Sequence, residues 1–120
     1  MKKRKNDDEA EVRRLSCQDL YRKEKSIQNA VMKYLRSQEG WWVKISDRFV
    51  AGIPDIIGCL NGRFFSIELK RPRGERPTAL QMHNMELINK AGGRAVWVKS
   101  LQEVKDYVKR WKILVGNKIK

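Results

Sequence analysis

The sequence predicts a single α/β domain in which a small mixed β-sheet is covered by helices. Its 120 residues are the length of one domain. Apolar residues recur at helical spacing in three segments and at strand spacing in four. These segments follow one another in the order helix, three strands, helix, strand, helix. Such an order is typical of a mixed sheet with helices packed against it.

The first half of the chain predicts one helix and three strands. From Glu24 onward, apolar residues fall on one helical stripe, namely Ile27, Ala30, Val31, Tyr34 and Leu35. Gly40 is placed to end this helix. Strand-like segments then cover residues 41–45, 55–60 and 63–70. Because Asn61-Gly62 is a strong two-residue turn sequence, the second and third strands are expected to form a hairpin.

The second half predicts a helix, a strand and a last helix. Pro77 and Thr78 begin a helix whose inward stripe is expected to contain Leu80, Asn84, Leu87, Ile88 and Ala91. Residues 94–98 read as the fourth strand, and the capping box Ser100-x-x-Glu103 opens the last helix. The predicted domain therefore spans residues 22–115. Residues 1–21 are predicted to be a mobile or frayed tail, and residues 116–120 a basic tail.

The charge of the chain indicates a polyanionic partner. Its 27 Lys and Arg residues against 14 Asp and Glu residues give a net charge of +13, and nucleic acid is the commonest partner of so basic a chain. His83 is the single histidine, which excludes histidine-rich zinc sites and two-histidine ribonuclease chemistry. No apolar run reaches the ~18 residues of a membrane span, and no secretory signal is recognisable. With isolated Cys17 and Cys59, these features predict a cytoplasmic protein.

Three polar residues of the predicted hairpin form a candidate catalytic group. Glu68 and Lys70 are two residues apart, so they point to the same side of the third strand, opposite its apolar face. Asp55 follows Pro54 at the start of the partner strand. The hairpin is expected to bring the three side chains together, in the string Pro-Asp-x12-Glu-x-Lys.

This set of side chains suits phosphodiester hydrolysis. Mg²⁺ is held in proteins by one or two carboxylates plus waters, and it lowers the pKa of an attacking water. Asp55 and Glu68 supply the carboxylates, and the backbone carbonyl of Leu69 could complete a site for Mg²⁺ or Mn²⁺. Lys70 could orient or deprotonate the water. The alternative is a solvated strand face after a Pro-Asp turn, but the hairpin context and the positive charge favour the functional interpretation.

Two further residues have both a functional and a structural interpretation. Glu24 falls on the inward side of the first helix, where a charged group needs a partner or a ligand. It also lies in the basic stretch 22–25, where it would simply be solvated. Gln81 falls on the inward side of the second helix, yet Thr78-x-x-Gln81 is itself a capping box. The residues leave both choices open.

The motifs resemble those of the VRR-NUC domain, a branch of the PD-(D/E)XK nuclease superfamily. The resemblance covers roughly residues 22–99 and is carried by the segments Ser26-Ile27-Gln28, Gly52-Ile53-Pro54-Asp55, Ser66-Ile67-Glu68-Leu69-Lys70, Gln81 and Gly92-Gly93. It implies a PD-(D/E)XK nuclease-like core and a metal-dependent nuclease. In that family the matching positions make Asp55 and Glu68 metal ligands and Lys70 the catalytic lysine. The resemblance further implies Gln81 near the scissile phosphate and Glu24 as an accessory acidic group.

Several side chains are expected to hold the nucleic acid. Four arginines are predicted to flank the Glu68–Lys70 edge and to contact phosphates, namely Arg63, Arg71, Arg73 and Arg76. Gln28, which lies at the first-helix position of the resemblance, is assigned to nucleic-acid binding as well. No recognition helix or Gly-rich phosphate loop is found, so recognition of DNA shape and backbone is expected rather than of base sequence.

Together these inferences predict a metal-dependent DNA endonuclease. The resemblance further implies a structure-selective enzyme that acts on branched DNA such as Holliday junctions in a bacterial or phage-infected cell. The alternatives are a restriction-type or nicking nuclease on ordinary duplex, and a non-catalytic basic binding module. No membrane and no small-molecule cofactor are expected. A homodimer is predicted, with an interface drawn from Trp41, Trp42 and the stretch 111–115. The opposite assignment, in which these residues cover the sheet of a monomer, also fits the sequence.

Overall fold

The order of elements predicted from the sequence is confirmed. The computed structural model describes residues 17–46 and 50–116, with side chains from residue 25 onward. Its elements are α1 (Cys17–Arg36), β1 (Trp41–Lys44), β2 (Ile56–Leu60), β3 (Arg63–Leu69), α2 (Ala79–Lys90), β4 (Arg94–Val98) and α3 (Leu101–Gly116).

The first helix is longer than its apolar stripe predicts. It begins at Cys17, so it includes residues 17–21, which were expected to be tail. No Gly or Pro interrupts the segment 17–36, and nothing in it opposes continuation of the helix toward the N-terminus. The rest of the predicted tails, residues 1–16 and 117–120, lies outside the described residues.

The four strands form one mixed sheet in the order β1-β2-β3-β4. β1, β2 and β3 are antiparallel neighbours, and β4 is parallel to β3. The predicted hairpin between β2 and β3 is present, because Asn61 and Gly62 both adopt the positive φ angles, 52° and 80°, that a tight two-residue turn requires. The parallel strand β4 is reached by the crossover helix α2.

One side of the sheet carries the main core. The aromatic ring of Phe65 on β3 packs at 4.4 Å, between ring centroids, from Trp111 on α3, and Trp42 on β1 stacks on Trp111 at 6.4 Å. The Trp42 ring also leaves no room for a Cβ at Gly58 on β2. α1 contributes the buried stripe that begins with Val31. Trp42, Trp111 and Val115 are thus core residues, so the prediction that they form a dimer interface is wrong.

The other side of the sheet is covered by α2, which is rotated from its predicted orientation. Thr78 is the N-cap of this helix and forms the predicted capping box with Gln81. Met85 is the buried residue of the helix, whereas Leu80 and Leu87, which were expected to point inward, are half-exposed. The rotation follows from polar contacts: Gln81 reaches Glu68 beneath the helix, and Asn84 donates to the carbonyl of Gly52.

No helix within the described residues is long and apolar enough to cross a membrane.

Candidate active site

Asp55 lies at the entry to β2 and is fixed by the sheet on both sides. Its carbonyl accepts a hydrogen bond from the backbone amide of Ile45, at 2.7 Å. Its side-chain Oδ2 accepts one from the backbone amide of Leu69, at 2.8 Å. The carboxylate is therefore tied to β3 at the residue between Glu68 and Lys70, as the hairpin predicted.

Glu68 is held beneath α2 by two side chains that converge on a single oxygen. Gln81 Nε2 donates to Glu68 Oε1 at 3.0 Å, and Lys70 Nζ lies 3.4 Å from the same oxygen. Glu68 is only 4% exposed. The strand face that carries it was expected to be a non-core side, but α2 covers it and buries both Glu68 and Ser66.

The Gln81 side chain performs both of the roles that the sequence left open. Its Oε1 accepts a hydrogen bond from the backbone amide of Thr78, which completes the capping box. Its Nε2 is then free to donate to Glu68. Because one amide carries both a donor and an acceptor, the helix cap sets the orientation of the group that contacts the carboxylate.

The environment of Glu68 opposes its ionisation. Burial is the largest cause, the neighbouring Asp55 carboxylate adds to it, and Lys70 partly offsets both, so the pKa of Glu68 is raised from 4.5 to about 7. Two carboxylates that repel each other in a partly buried pocket are stabilised by a cation placed between them.

The three residues open onto one pocket that has the oxygen ligands a hard cation prefers. Its lining includes Pro54, Asp55, Glu68, Leu69, Lys70 and Gln81. Among the described residues, no group of three or more His, Cys, Asp or Glu side chains gathers at one point. The carboxylates of Asp55 and Glu68 and the backbone carbonyl of Leu69 are oxygen groups of the kind that Mg²⁺ binds in proteins, together with water.

The raised pKa of Glu68 predicts how the stability of the metal-free protein depends on pH. A carboxyl whose pKa is about 7 when folded and 4.5 when unfolded binds its proton more tightly in the folded state. Its stabilising contribution is thus present below pH 4.5 and is lost as the pH rises through 7, by at most about 3 kcal/mol.

We therefore expect the free energy of unfolding of the wild type, relative to Glu68→Gln, to fall between pH 5 and pH 8. Urea titrations in EDTA measure this difference. Because glutamine does not titrate, two parallel pH profiles would contradict the expectation. Added Mg²⁺ should stabilise the wild type more at pH 8 than at pH 6.

Of the two first-helix candidates, Gln28 is not among the residues that line this pocket. Gln28 is 9% exposed and lies on the buried stripe of α1, and its contact with nucleic acid stays a prediction. Its position four residues before Met32 and seven before Leu35 places it inward with them. Glu24 belongs to α1, but its side chain lies outside the described part of the structure.

The four arginines occupy different places. Arg73 and Arg76 are exposed on the loop that follows Lys70, as expected. Arg63 begins β3 and donates through Nε to the carbonyl of Gly92. Since five strand residues span about 16 Å, Arg63 lies at the opposite end of the strand from Glu68 and does not flank it. Arg71 contacts Glu75.

Two residues of the site were missed in the sequence. Glu75 lines the same pocket as Asp55 and Glu68. Its spacing of four from Arg71 was a detectable charge pairing, although the segment is a loop rather than a helix. Asn84 holds the segment before Asp55 through its 2.8 Å hydrogen bond to Gly52, and no sequence pattern indicates that contact.

Comparison with known proteins identifies the fold. No protein-family model matches the sequence, and no curated protein matches it. Among solved structures, one described as "VRR_NUC domain" is similar over 72% of this chain and 95% of its own, with a TM-score of 0.63 and 24% sequence identity. The chain has the VRR-NUC fold. A second structure, described as "VRR_NUC domain protein", matches 72% of this chain and 85% of its own, with a TM-score of 0.63 and 23% identity.

The VRR-NUC fold agrees with the resemblance found in the motifs and with a PD-(D/E)XK-like arrangement of a small mixed sheet among three helices. At these identities the likeness concerns the fold, and the activity has to be argued from the site.

Proposed function

We propose that the chain is a Mg²⁺- or Mn²⁺-dependent DNA endonuclease that acts on branched DNA such as Holliday junctions. The observation that carries the proposal is the convergence of Asp55, Glu68 and Lys70 on one pocket, on a chain with a net charge of +13. A protein that only coats the DNA backbone has no need of two carboxylates beside a phosphate, because they repel it. The VRR-NUC fold of the chain supports the same assignment.

Each residue of the pocket has a distinct part in the proposed hydrolysis. Asp55 and Glu68 would hold the cation, with the carbonyl of Leu69 as a further ligand. A bound Mg²⁺ or Mn²⁺ neutralises phosphate charge and lowers the pKa of a coordinated water. Lys70 Nζ, next to Glu68 Oε1, can orient that water or donate to the developing negative charge. Gln81 keeps Glu68 in place through its hydrogen bond, and it is assigned a place near the scissile phosphate.

The DNA backbone is proposed to lie against the loop that leaves the pocket. Arg73 and Arg76 are exposed on this loop, and neither forms an ion pair with any described residue. Phosphate contacts position a duplex without reading its sequence, so the expected selectivity is for DNA shape.

We expect cleavage to require a divalent cation. EDTA should reduce the rate to background, and Mg²⁺ or Mn²⁺ should restore it, because the ligands are oxygens of two carboxylates. Ca²⁺ should support DNA binding but little cleavage. Gel assays of labelled four-way junctions with each ion test this. Undiminished cutting in excess EDTA would contradict it.

The substrate preference is tested by offering matched labelled four-way junction, flap, linear duplex and single strand. Fastest cutting of the junction supports the proposal. Cutting or nicking of linear duplex at an equal rate would favour a restriction-type or nicking nuclease. Binding of all four substrates without cleavage of any would favour the non-catalytic module.

The proposal includes a homodimer, since one domain offers one pocket and a junction is cut on two strands. α2 covers only the β3–β4 half of its side of the sheet, and the remaining half is apolar. We call this the open face. Its exposed members are Trp41, Cys59 and Phe64 on the strands, and Ile53, Leu80 and Leu87 along the edge of α2.

The three strand residues of the open face are contiguous. Cys59 pairs across the sheet with Trp41 on one side and with Phe64 on the other. The loop that carries Ile53 lies against α2, because a Cβ at Gly52 would lie 2.7 Å from Leu80 Cγ.

A second copy of the chain suits the open face. Chains with a charge of +13 repel one another, so a self-association surface has to be free of like charges, and none of the open-face residues is charged. An interface of ordinary size, about 800 Å² per partner, would remove most of these side chains from water.

A further inference from the structure

The loop between β3 and α2, residues 71–77, is closed by a two-pronged contact between its own residues. Arg71 Nε donates to Glu75 Oε2 at 2.7 Å, and the same oxygen lies 2.6 Å from an Arg71 terminal nitrogen. The backbone amide of Arg71 also donates to Glu75 Oε1, at 3.3 Å. Both carboxylate oxygens of Glu75 are thus bound to one residue, which is a stronger arrangement than an ordinary surface ion pair.

Along the chain, the Arg71–Glu75 contact lies between the two residues whose side chains contact Glu68. Lys70 precedes the loop and Gln81 follows it by one helical turn, and both converge on Glu68 Oε1. The loop reverses direction at Gly74, whose φ angle of 72° favours glycine. The loop is thus the direct covalent link between the two groups that contact Glu68.

Glu75 also faces the pocket, where an uncompensated carboxylate would repel a phosphate. Partial burial pulls the pKa of Glu75 upward, but the hydrogen bonds from Arg71 and the positive charges of Arg71 and Lys70 outweigh it, and the pKa is lowered. Glu75 is therefore ionised at neutral pH, and Arg71 neutralises it.

We propose that Glu75 is a positioning residue, and that Arg71 serves mainly to hold it. The pair forms a clip that fixes the loop, so that Lys70 and Gln81 stay on Glu68 while Arg73 and Arg76 point to solvent for phosphate. The proposal rests on the nuclease function proposed above, and it reassigns Arg71 from direct DNA contact to loop closure.

The two roles of Arg71 predict opposite results for Glu75→Gln. If Arg71 is a clip, Glu75→Gln and Arg71→Ala both lower the single-turnover cleavage rate, by about tenfold, and the double variant is no worse than Arg71→Ala, which already removes the contact with Glu75. The dissociation constant for DNA in Ca²⁺ stays within about twofold for Glu75→Gln, since phosphate contacts set binding. If Arg71 instead binds phosphate, Glu75→Gln frees it and tightens binding.

Arg71→Lys tests whether the positive charge of Arg71 or its paired N–H donors are needed. Lysine keeps the positive charge but lacks the paired donors, so it should resemble Arg71→Ala in rate if the clip is correct. Glu86→Gln and Lys90→Ala serve as controls, because that pair is also four residues apart but is exposed on α2, with 3.8 Å between the charged atoms. Both controls should cut at the wild-type rate.

Limited trypsin digestion tests the clip without any nuclease assay. Arg71 and Arg76 precede prolines and resist trypsin, which leaves Arg73 as the cleavable arginine inside the loop. Arg71→Lys keeps Pro72, Gly74 and Glu75 around the cleaved bond, and it should speed cleavage after Arg73 several-fold relative to the wild type. Unchanged digestion would overturn the clip, and so would a wild-type cleavage rate in Glu75→Gln. If the wild type cuts no DNA, the nuclease function fails, while the digestion still decides the clip.

Discussion

Replacing Glu68 by glutamine is expected to abolish DNA cleavage while leaving the protein folded and able to bind DNA. Glutamine keeps the size of the side chain and its contact with Gln81, which matters because Glu68 is buried rather than solvated. It removes the negative charge that would hold a cation. Asp55→Asn and Lys70→Met should have the same effect, each lowering the rate by at least about 10²-fold, the usual cost of removing one preorganised electrostatic group.

DNA binding separates loss of chemistry from loss of structure. In Ca²⁺ Lys70→Met should bind a four-way junction as tightly as the wild type. The two carboxylate variants should bind it at least as tightly, since the repulsion between a carboxylate and the phosphates is relieved. Fluorescence anisotropy measures this. Glu86→Gln and Lys90→Met, which change the same residue types on the exposed side of α2, are the matched controls and should retain full activity. A wild-type rate for Lys70→Met would show that the active site has been misassigned.

Replacing Leu87 by glutamate is expected to convert the proposed dimer into a monomer. Leu87 is 49% exposed on the open face, so the monomer should tolerate the change with little loss of thermal stability. In a two-fold interface the substitution buries two unpaired carboxylates, each of which costs about 3–5 kcal/mol. Since 1.4 kcal/mol is a factor of ten, dissociation should become at least about 10²-fold easier.

The matched control is Ile113→Glu. Ile113 is 71% exposed, but it lies on α3, on the opposite side of the sheet. Light scattering at micromolar concentration should show a dimer for the wild type and for Ile113→Glu, and a monomer for Leu87→Glu. The monomer should still cut one strand of a junction at a time, but it should no longer cut the two opposed strands in one binding event.

The outcomes distinguish three errors. A dimer that survives Leu87→Glu and is broken by Ile113→Glu would place the interface on the α1–α3 side. A monomeric wild type would remove the dimer and leave the nuclease proposal untouched. A dimeric wild type that cuts no DNA would support the dimer and contradict the nuclease proposal.

Much of the fold was predictable because its determinants are close together in the chain. The Asn61-Gly62 turn and the Thr78–Gln81 capping box each depend on residues no more than three apart, and both are present. The alternation of Glu68 and Lys70 along β3 likewise placed them on one side of the strand. The motif resemblance added the expectation of a VRR-NUC fold, which the solved structures bear out.

The errors arose where contacts between distant residues decide the outcome. The apolar residues of α2 did not show which way the helix would turn, because its orientation depends on Glu68 and Gly52, which lie 13 and 32 residues before their partners on the helix. A hydrogen bond between distant residues also keeps Arg63 away from the site, since its side chain donates to the carbonyl of Gly92, 29 residues later.

The sequence by itself determined the order of the elements, the hairpin that brings Asp55 to Glu68 and Lys70, and the positive charge, since these depend on local spacing and composition. Tertiary structure alone decided that Glu68 is buried beneath α2 with a pKa near 7, that Trp42 and Trp111 fill the core, and that Leu80 and Leu87 are left on the open face. The physical reason is that burial and pairing belong to the packed layers, whose geometry is set only when the helices settle on the sheet.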